Sequence, residues 1–455
     1  MTETKTRGEN MKKIVILVFI VVLIIGQLSF VSSFWNQGVN APGNNDNTGN
    51  INTGRFNVFG QPQAVSAGNG YTVVIDYFGR LWTFGSNVGG RTGIAGLTIG
   101  ASLDPVLLDT GDTRFRAVEA GNNFGFAIDT NNRLWSWGTG SNGVTGLGVN
   151  GGVSIPQMIN PDLEFQSISV GITGTATHAV AIDFDGNLWS WGNNASGRTG
   201  HGVSSGNTLL PRMIEEFWPN GPTTASFVQV SAGSISTLAI DIEGRLWSWG
   251  NNDNGRAGHG PNYNYADGTQ VISRPRIIDS TSHVRFTYVA ASHESGYAIC
   301  IDGSIWVFGV NLNAKLGTGN LGTTSETAEI LQSPTRLVGE IDEVQFVSIT
   351  AGQSHAIAID SEGSVWSWGQ NSLGRTGHGV GGPTQAAPGH TTVPTRIVHA
   401  NIIHSQFEFI TAGNDFSFAI DSDGFIYSWG AGASGRNGNG ALQNRAFPIR
   451  LLGHQ

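Results

Sequence analysis

Residues 246–250 read Leu-Trp-Ser-Trp-Gly, a short alternation of large and small side chains that ends in a glycine. Successive side chains of a β-strand point to opposite faces of the sheet, so Trp247 and Trp249 share one face. The pattern recurs with variants such as WTFG, WVFG and YSWG, at intervals of 53 to 61 residues. Its seven copies end at Gly85, Gly138, Gly192, Gly250, Gly309, Gly369 and Gly430. A period of this length indicates a repeat architecture.

Other landmarks keep a constant order around each copy. A tetrad like Val230–Gly233 comes first, and an Ala-Ile-Asp run like Ala239–Asp241 follows it. Turns such as Asp185-Gly186 supply the residue of positive φ that a tight hairpin requires. Gly-Arg-Thr-Gly-His-Gly, or a relative of it, comes next, and then Pro-x-x-Ile, as at Pro275–Ile278. Each copy therefore holds four strand-like pieces, and we predict an all-β fold, a seven-bladed β-propeller.

The two ends of the repeat region suggest how the ring closes. Only a short irregular stretch, residues 56–64, precedes the first tetrad, Val65–Gly68. The chain ends with one more fourth-strand pattern, Pro448–Leu452. We predict that this C-terminal strand completes the blade begun near Val65 and so closes the ring.

The composition fits a β-rich packed protein. The chain has 66 Gly and 13 Trp, which excludes disorder, and the glycines follow no three-residue period, which excludes collagen. Its net charge is −9, and Lys315 is the one lysine beyond the N-terminal segment. An acidic chain of this kind is a poor binder of nucleic acid. The single cysteine, Cys300, lies in a strand pattern, and we expect a buried thiol.

The N-terminus has the pattern of a targeting segment. Lys12-Lys13 precede the apolar run 14–25, and small residues follow at Val31–Ser33. We predict that residues 1–33 form a secretory signal peptide or, if they are not cleaved, a membrane anchor. Residues 34–54 are rich in Asn and Gly and read as a flexible linker, and residues 55–455 form the propeller. Either alternative exports the propeller, to the cell surface or beyond it.

The repeat also resembles a known family. The order tetrad, Ala-Ile-Asp-x-x-Gly, Leu-Trp-Ser-Trp-Gly, Asn-x-x-Gly-x-x-Gly-x-Gly and Pro-x-x-Ile is similar to the regulator of chromosome condensation repeat, over about residues 60–452. The resemblance implies a seven-bladed propeller. It also implies two functions: nucleotide exchange on a small GTPase, as in the name-giving nuclear members, and enzyme inhibition through one propeller face, as in secreted bacterial β-lactamase inhibitory relatives.

No residue pattern nominates a catalytic, metal or cofactor site. The chain lacks a Gly-x-Ser-x-Gly elbow, a phosphate loop and a His-Glu-x-x-His motif. His201, His259 and His378 occupy equivalent positions in different copies, too far apart to share one metal ion. The tryptophans recur in every copy, as blade packing requires, so we interpret them as core residues.

Departures from the repeat are the best candidates for binding. Three consecutive copies have long connections after Gly-x-Gly, and one of these displays Asn262, Tyr263 and Tyr265. On the opposite face the connection 215–226 carries Phe217 and Trp218. Exposed aromatic residues on rigid scaffolds often anchor ligands. We predict a monomeric, extracellular, non-enzymatic protein that binds a protein or a surface glycan. Exchange on a small GTPase and inhibition of an enzyme stay open as alternatives.

Overall fold

The described part of the structure, a computed structural model, comprises residues 64–451 except 98–99, 173, 175–176, 216–224, 262–269, 380–388 and 403–404. The chain divides into two units, Met1–Gly54 and Arg55–Gln455, and all described residues belong to the second. The predicted targeting segment, 1–33, and linker, 34–54, therefore lie outside the described residues. Within the described ranges, no helix combines the length and the apolar character needed to span a bilayer.

The described residues form 28 strands, grouped as seven four-stranded antiparallel sheets, the blades. Blades 1 to 4 comprise β1–β4 (Ala64–Ala67, Tyr71–Ile75, Leu81–Ser86, Ala101–Leu107), β5–β8 (Phe115–Ala120, Phe124–Asp129, Leu134–Gly138, Val153–Met158), β9–β12 (Phe165–Val170, His178–Asp183, Leu188–Asn193, Asn207–Met213) and β13–β16 (Phe227–Ala232, Ser236–Asp241, Leu246–Asn251, Val271–Ile277). Blades 5 to 7 comprise β17–β20 (Phe286–Ala291, Ser295–Cys300, Ile305–Asn311, Glu329–Arg336), β21–β24 (Phe346–Ala351, His355–Asp360, Val365–Gln370, His390–Arg396) and β25–β28 (Phe407–Ala412, Phe416–Asp421, Ile426–Gly430, Arg445–Arg450). Single 3₁₀ turns lie at Val88–Gly90, Ser141–Gly143, Ala195–Gly197, Asp253–Gly255, Asp279–Thr281, Ser372–Gly374 and Ala433–Gly435.

The glycine that ends each Leu-Trp-Ser-Trp-Gly motif has a backbone role. Gly250 has φ +101°, and a Cβ there would lie 2.5 Å from the carbonyl oxygen of Ile235. The pairing of β15 with β16 shifts register between Ser248 and Gly250, a β-bulge. Positive φ and the close approach of the neighbouring strand together exclude any other residue without strain.

The core consists of apolar clusters in the seams between neighbouring blades. In the seam of blades 3 and 4, Val180 and Leu188 pack against Phe227, Trp247 and Trp249. Corresponding clusters occupy the other six seams. The prediction that both tryptophans of a motif share one face is therefore confirmed, as is the seven-bladed all-β fold. Cys300 is a buried free thiol in the seam of blades 4 and 5, as expected.

The predicted mode of ring closure is wrong. Residues 101–107 supply the fourth strand of blade 1, and the C-terminal strand Arg445–Arg450 pairs within blade 7. The cause is Pro105-Val-Leu-Leu, a diverged copy of Pro-x-x-Ile, which completes blade 1 without the C-terminus. Blades 7 and 1 meet through packing and single hydrogen bonds, such as that from Thr72 Oγ1 to the carbonyl oxygen of Arg436 (2.9 Å).

The two faces of the ring carry different connections. We call the loop face the one that holds the first-to-second and third-to-fourth strand connections, in blade 4 residues 233–235 and 252–261. The turn face holds the second-to-third strand turns and the links between blades, in blade 4 residues 242–245 and 278–285. The first strand of each blade lines the central channel, and the fourth lies at the rim.

Candidate binding surface at the channel mouth

The predicted binding residues cannot be placed on the molecule. Phe217 and Trp218 fall in 216–224, and Asn262, Tyr263 and Tyr265 fall in 262–269, so all five lie outside the described residues. Their proposed role stays a sequence-based prediction. The described residues nevertheless contain a second candidate surface, which follows from how the repeated side chains are used.

The motif tryptophans have two separate structural tasks. The first indole of a motif bonds within its own blade, as Trp247 Nε1 does to Asp241 Oδ2 (2.7 Å). The second crosses the seam, as Trp249 Nε1 does to the carbonyl oxygen of Arg198 in the preceding blade (2.9 Å). Equivalent seam bonds come from Trp137, Trp191, Trp368 and Trp429. The tryptophans are thus part of the scaffold.

The Ala-Ile-Asp carboxylates cap hairpins. Asp183 Oδ1 accepts the backbone N–H groups of Asp185 (3.0 Å) and Asn187 (2.9 Å), and Asp183 Oδ2 accepts the indole N–H of Trp189 (2.8 Å). This use explains why an acid recurs at the position. Among the described residues, no group of three or more His, Cys, Asp or Glu side chains is placed to hold a metal ion.

The repeated histidines also act within their blades. His201 and His259 each hydrogen-bond through Nε2 to a strand serine, Ser190 (2.9 Å) and Ser248 (2.7 Å) respectively. Burial lowers the pKa of His201 to about 4 and that of His259 to about 3. Both imidazoles are therefore neutral at physiological pH, and they add no charge to the loop face.

The central channel is narrow and polar. Its cavity has a volume of about 70 Å³. Tetrad side chains line it and link neighbouring blades, as Ser66 does by accepting the N–H of Ala120 (2.9 Å). Glu119 occupies the corresponding position in blade 2, and burial raises its pKa to about 7. The remaining equivalent residues are Ser169, Ser231, Ala290, Thr350 and Thr411.

A ring of cations surrounds the channel mouth at the loop face. The residue that follows the turn at the start of the third-to-fourth connection, a 3₁₀ turn in every blade except blade 5, is a cation in six blades and Val144 in blade 2. Its side chain reaches the tip of a first-to-second connection, which borders the mouth. Arg198, for example, donates to the carbonyl oxygen of Ser234 (2.8 Å). The six cations are Arg91, Arg198, Arg256, Lys315, Arg375 and Arg436.

Two carboxylates at the mouth pair with four of these cations. Glu294 contacts Arg256 (2.7 Å) and Lys315 (3.7 Å). Asp415 contacts Arg375 (3.1 Å) and Arg436 (3.9 Å). The Lys315 side chain is only 3% exposed, and burial lowers the pKa of its ammonium group to about 8. The charged groups of these cations are therefore partly buried, so solvent screens their electrostatic interactions less than those of exposed side chains.

The described turns of the turn face also carry arginines, but Arg80 and Arg245 pair with the aspartate of their own hairpin, Asp76 (2.7 Å) and Asp241 (2.6 Å) respectively. The turns in blades 3, 4 and 5 expose Phe184, Ile242 and Ile301, and each is followed by an exposed carboxylate. One of these, Glu243, pairs with Arg245 (3.1 Å). The described part of the turn face thus mixes charges of both signs with exposed apolar side chains.

Sequence reasoning missed the cation ring. The Gly-Arg-Thr-Gly run is visible in the repeat, but nothing in the run itself indicates where the arginine side chain points. The available signal was that a cation recurs in six copies, including a lysine in blade 5, where burial disfavours charge. Packing alone would have selected an apolar residue, as in blade 2.

Comparison with known proteins agrees with the fold. Two models described as regulator of chromosome condensation (RCC1) repeat match residues 115–144, 170–198, 227–256 and 346–375, and residues 185–240 and 243–299. The chain is 28% identical over 330 residues to the mitochondrial RCC1 domain-containing protein RUG3 of Arabidopsis thaliana, covering 72% of this chain and 67% of that protein. It is 25% identical over 387 residues to the human regulator of chromosome condensation, covering 83% and 86%.

A solved structure extends the likeness to three dimensions. Prp20p of Saccharomyces cerevisiae matches with a TM-score of 0.65 at 20% identity, over 81% of this chain and 85% of that chain. The resemblance seen in the sequence is therefore confirmed by the repeat matches and by the propeller itself. The chain is a seven-bladed β-propeller that contains regulator of chromosome condensation (RCC1) repeats.

Proposed function

We propose that the chain is an exported, non-catalytic binding protein whose ligand is another protein, contacted through the loop face. The observation that carries the proposal is the ring of cations around the mouth of a channel whose cavity is small. A cavity of about 70 Å³ is well below the roughly 300–1,000 Å³ of small-molecule sites. Recognition on a face fits this geometry better than recognition inside the ring.

The family supports a protein ligand. Prp20p has been characterised for its binding to Gsp1p and histones, so a propeller of this fold is able to bind proteins. The residues of the repeat that hold the blades together also differ from those that are available for recognition. The seams use tryptophan, glycine and apolar residues, whereas the connections at the loop face vary without loss of packing.

A non-catalytic role is supported by how the acidic groups are used. The Ala-Ile-Asp carboxylates are committed to hairpin caps, and Glu294 and Asp415 are committed to ion pairs. Export is supported by the N-terminal sequence alone, with Lys12-Lys13 before the apolar run 14–25. Protease treatment of intact cells tests this point: an exported propeller is digested, and a propeller retained in the cytosol is protected.

Site-specific photo-cross-linking tests the choice of face. A photoreactive residue is placed in the full chain at Gln353, an exposed position in a first-to-second connection of blade 6. The matched control places it at Glu362, exposed in the turn of the same blade on the opposite face. We expect a protein partner to cross-link from position 353 and not from position 362. Cross-linking from 362 alone, or to a glycan and no protein, contradicts the proposal.

Nucleotide exchange on a small GTPase is the second candidate, because the chain is similar to the human regulator of chromosome condensation. Small GTPases are cytosolic, so this activity requires the mature chain in the cytosol. Protection from protease, together with accelerated nucleotide release from a small GTPase of the same cell, would favour exchange over external binding.

A further inference from the structure

The cations of blades 4 to 7 and blade 1 form a continuous basic arc along the mouth. We define the basic arc as Arg256, Lys315, Arg375, Arg436 and Arg91. Within the described residues its ion-pair partners are Glu294 and Asp415, so five positive charges meet two negative ones. This local excess contrasts with the net charge of −9 of the whole chain.

The arc is held in place before any ligand arrives. Each of three arginines donates its Nε–H to a carbonyl oxygen three residues earlier: Arg91 to Val88 (2.8 Å), Arg375 to Ser372 (3.0 Å) and Arg436 to Ala433 (2.8 Å). Arg91 and Arg375 are only 7% and 6% exposed. Side chains fixed in this way lose little conformational freedom on binding, which favours affinity.

The charges of the arc are mutually repulsive. The charge of Arg436 contributes to the lowered pKa of Arg91, although burial is the larger cause. Burial also lowers the pKa of Arg436 itself, and Asp415 opposes that change. A ligand that brings negative charge to the mouth relieves this repulsion, so the mouth complements an anion.

The shape of the arc selects among anions. Binding to a nucleic acid backbone relies on exposed cations that contact many phosphates. Here the cations are few, mostly buried and confined to one mouth, so they match only a short run of negative charge. Short carboxylate side chains on a partner protein can approach the mouth without bringing a long charged backbone with them.

We infer that the arc is the docking site for an acidic segment of the partner protein, rich in Asp and Glu. This inference rests on the proposed function and adds the chemistry of the segment that is recognised. Glu294, Asp415 and the neighbouring His293 face the same site. Each of the two carboxylates is 22% exposed, and both limit the affinity, since they repel the incoming segment.

Fluorescence anisotropy with the full chain tests the inference. The probe is a dye-labelled oligoglutamate peptide, with oligoglutamine of the same length as its control. We expect oligoglutamate alone to bind, and its affinity to fall at least about tenfold between low and physiological ionic strength. Equal binding of the two peptides, or binding of neither, overturns the inference.

Three variants test whether charge at the mouth weakens or strengthens oligoglutamate binding as the inference requires. Arg436→Gln should weaken oligoglutamate binding by about tenfold, because it removes a partly buried cation at the mouth. Asp415→Asn, which keeps the shape of the side chain, should strengthen binding by about threefold. Arg396→Gln, an exposed cation of the rim strand β24, should leave binding unchanged.

The opposite signs separate electrostatics from damage to the fold. A variant that merely loosens the ring weakens binding, so weaker binding by Asp415→Asn contradicts the inference. Unchanged binding by a folded Arg436→Gln protein, verified by circular dichroism, also contradicts it. Should these tests fail while position 353 still cross-links a protein, the proposed function stands and only the acidic docking site is refuted.

Discussion

The seam hydrogen bond of Trp191 offers the sharpest test of how the blades are held together. Its indole is fully buried, and Nε1 donates to the carbonyl oxygen of Val144 in blade 2 (2.9 Å). The ring also packs edge-on against Phe126 at a centroid distance of 5.8 Å. Blades 1 and 5 carry Phe84 and Phe308 at this position, so a phenyl ring fits the same site without an N–H group.

Replacement in two steps separates the bond from the packing. Trp191→Phe leaves a buried carbonyl oxygen without its donor, which costs about 1–3 kcal/mol. Trp191→Ala removes the packing as well and costs roughly 3–5 kcal/mol or more. Phe308→Ala is the matched control, because it loses packing and no hydrogen bond. Its cost should approach the difference between the two Trp191 variants.

Urea unfolding of the full chain, followed by circular dichroism, measures these free energies. Thermal unfolding gives a smaller readout, since a unit of some 400 residues loses only roughly 1 °C of Tm per kcal/mol. A Trp191→Phe protein within about 0.5 kcal/mol of the unmodified chain would refute the claim that the seam bond contributes to stability, given the typical worth of such a bond.

Three other predictions concern packing and pH. Gly125→Ala should destabilise the propeller by about 1–3 kcal/mol, because the new Cβ would lie 2.5 Å from Cε2 of Trp137. Gly151→Ala is the control, because nothing lies within 4 Å of a Cβ there, and equal urea midpoints for the two variants would contradict the prediction. Burial lowers the pKa of His355 to about 3, so the unfolded state binds more protons below pH 6.5 and the free energy of unfolding falls as the pH drops. His355→Gln should remove about 2 kcal/mol of the unfolding free energy that is lost between pH 7 and pH 5. Unfolding free energies at those two pH values that the substitution leaves unchanged would argue against this prediction. Burial raises the pKa of Glu119 to about 7, so stability is lost as the pH rises from 4.5 through 7. Glu119→Gln should therefore be more stable than the unmodified chain by about 1–3 kcal/mol at pH 8 and not at pH 4. The same difference in stability at both pH values would count against a titrating carboxylate.

Repetition gives the chain two kinds of position with different constraints. Seam positions such as Trp249 and Gly250 must satisfy the same geometry in every blade, so they change little along the chain. The cation positions at the mouth come together only when the ring closes, and each blade contributes one such position. Blade 2 can therefore carry Val144, and blade 5 can carry Lys315, without disturbing the seams.

The sequence by itself determined the fold class, the number of blades and the structural role of the tryptophans. These properties are local: alternation, turn glycines and a period of 53 to 61 residues can all be read along the chain. The one error of topology is local as well, because Pro105-Val-Leu-Leu diverges from the Pro-x-x-Ile pattern that marks a fourth strand. The pattern alone therefore assigns the C-terminal strand to blade 1, whereas it belongs to blade 7.

Only the tertiary structure decided where charge accumulates. Arg91 and Arg436 lie far apart in sequence, yet ring closure makes blades 1 and 7 neighbours and brings both guanidinium groups to one mouth. No periodicity reports whether a repeated cation points to the rim or to the channel. That direction depends on how four strands twist within a blade and seven blades close into a ring, which are interactions between residues distant in the chain.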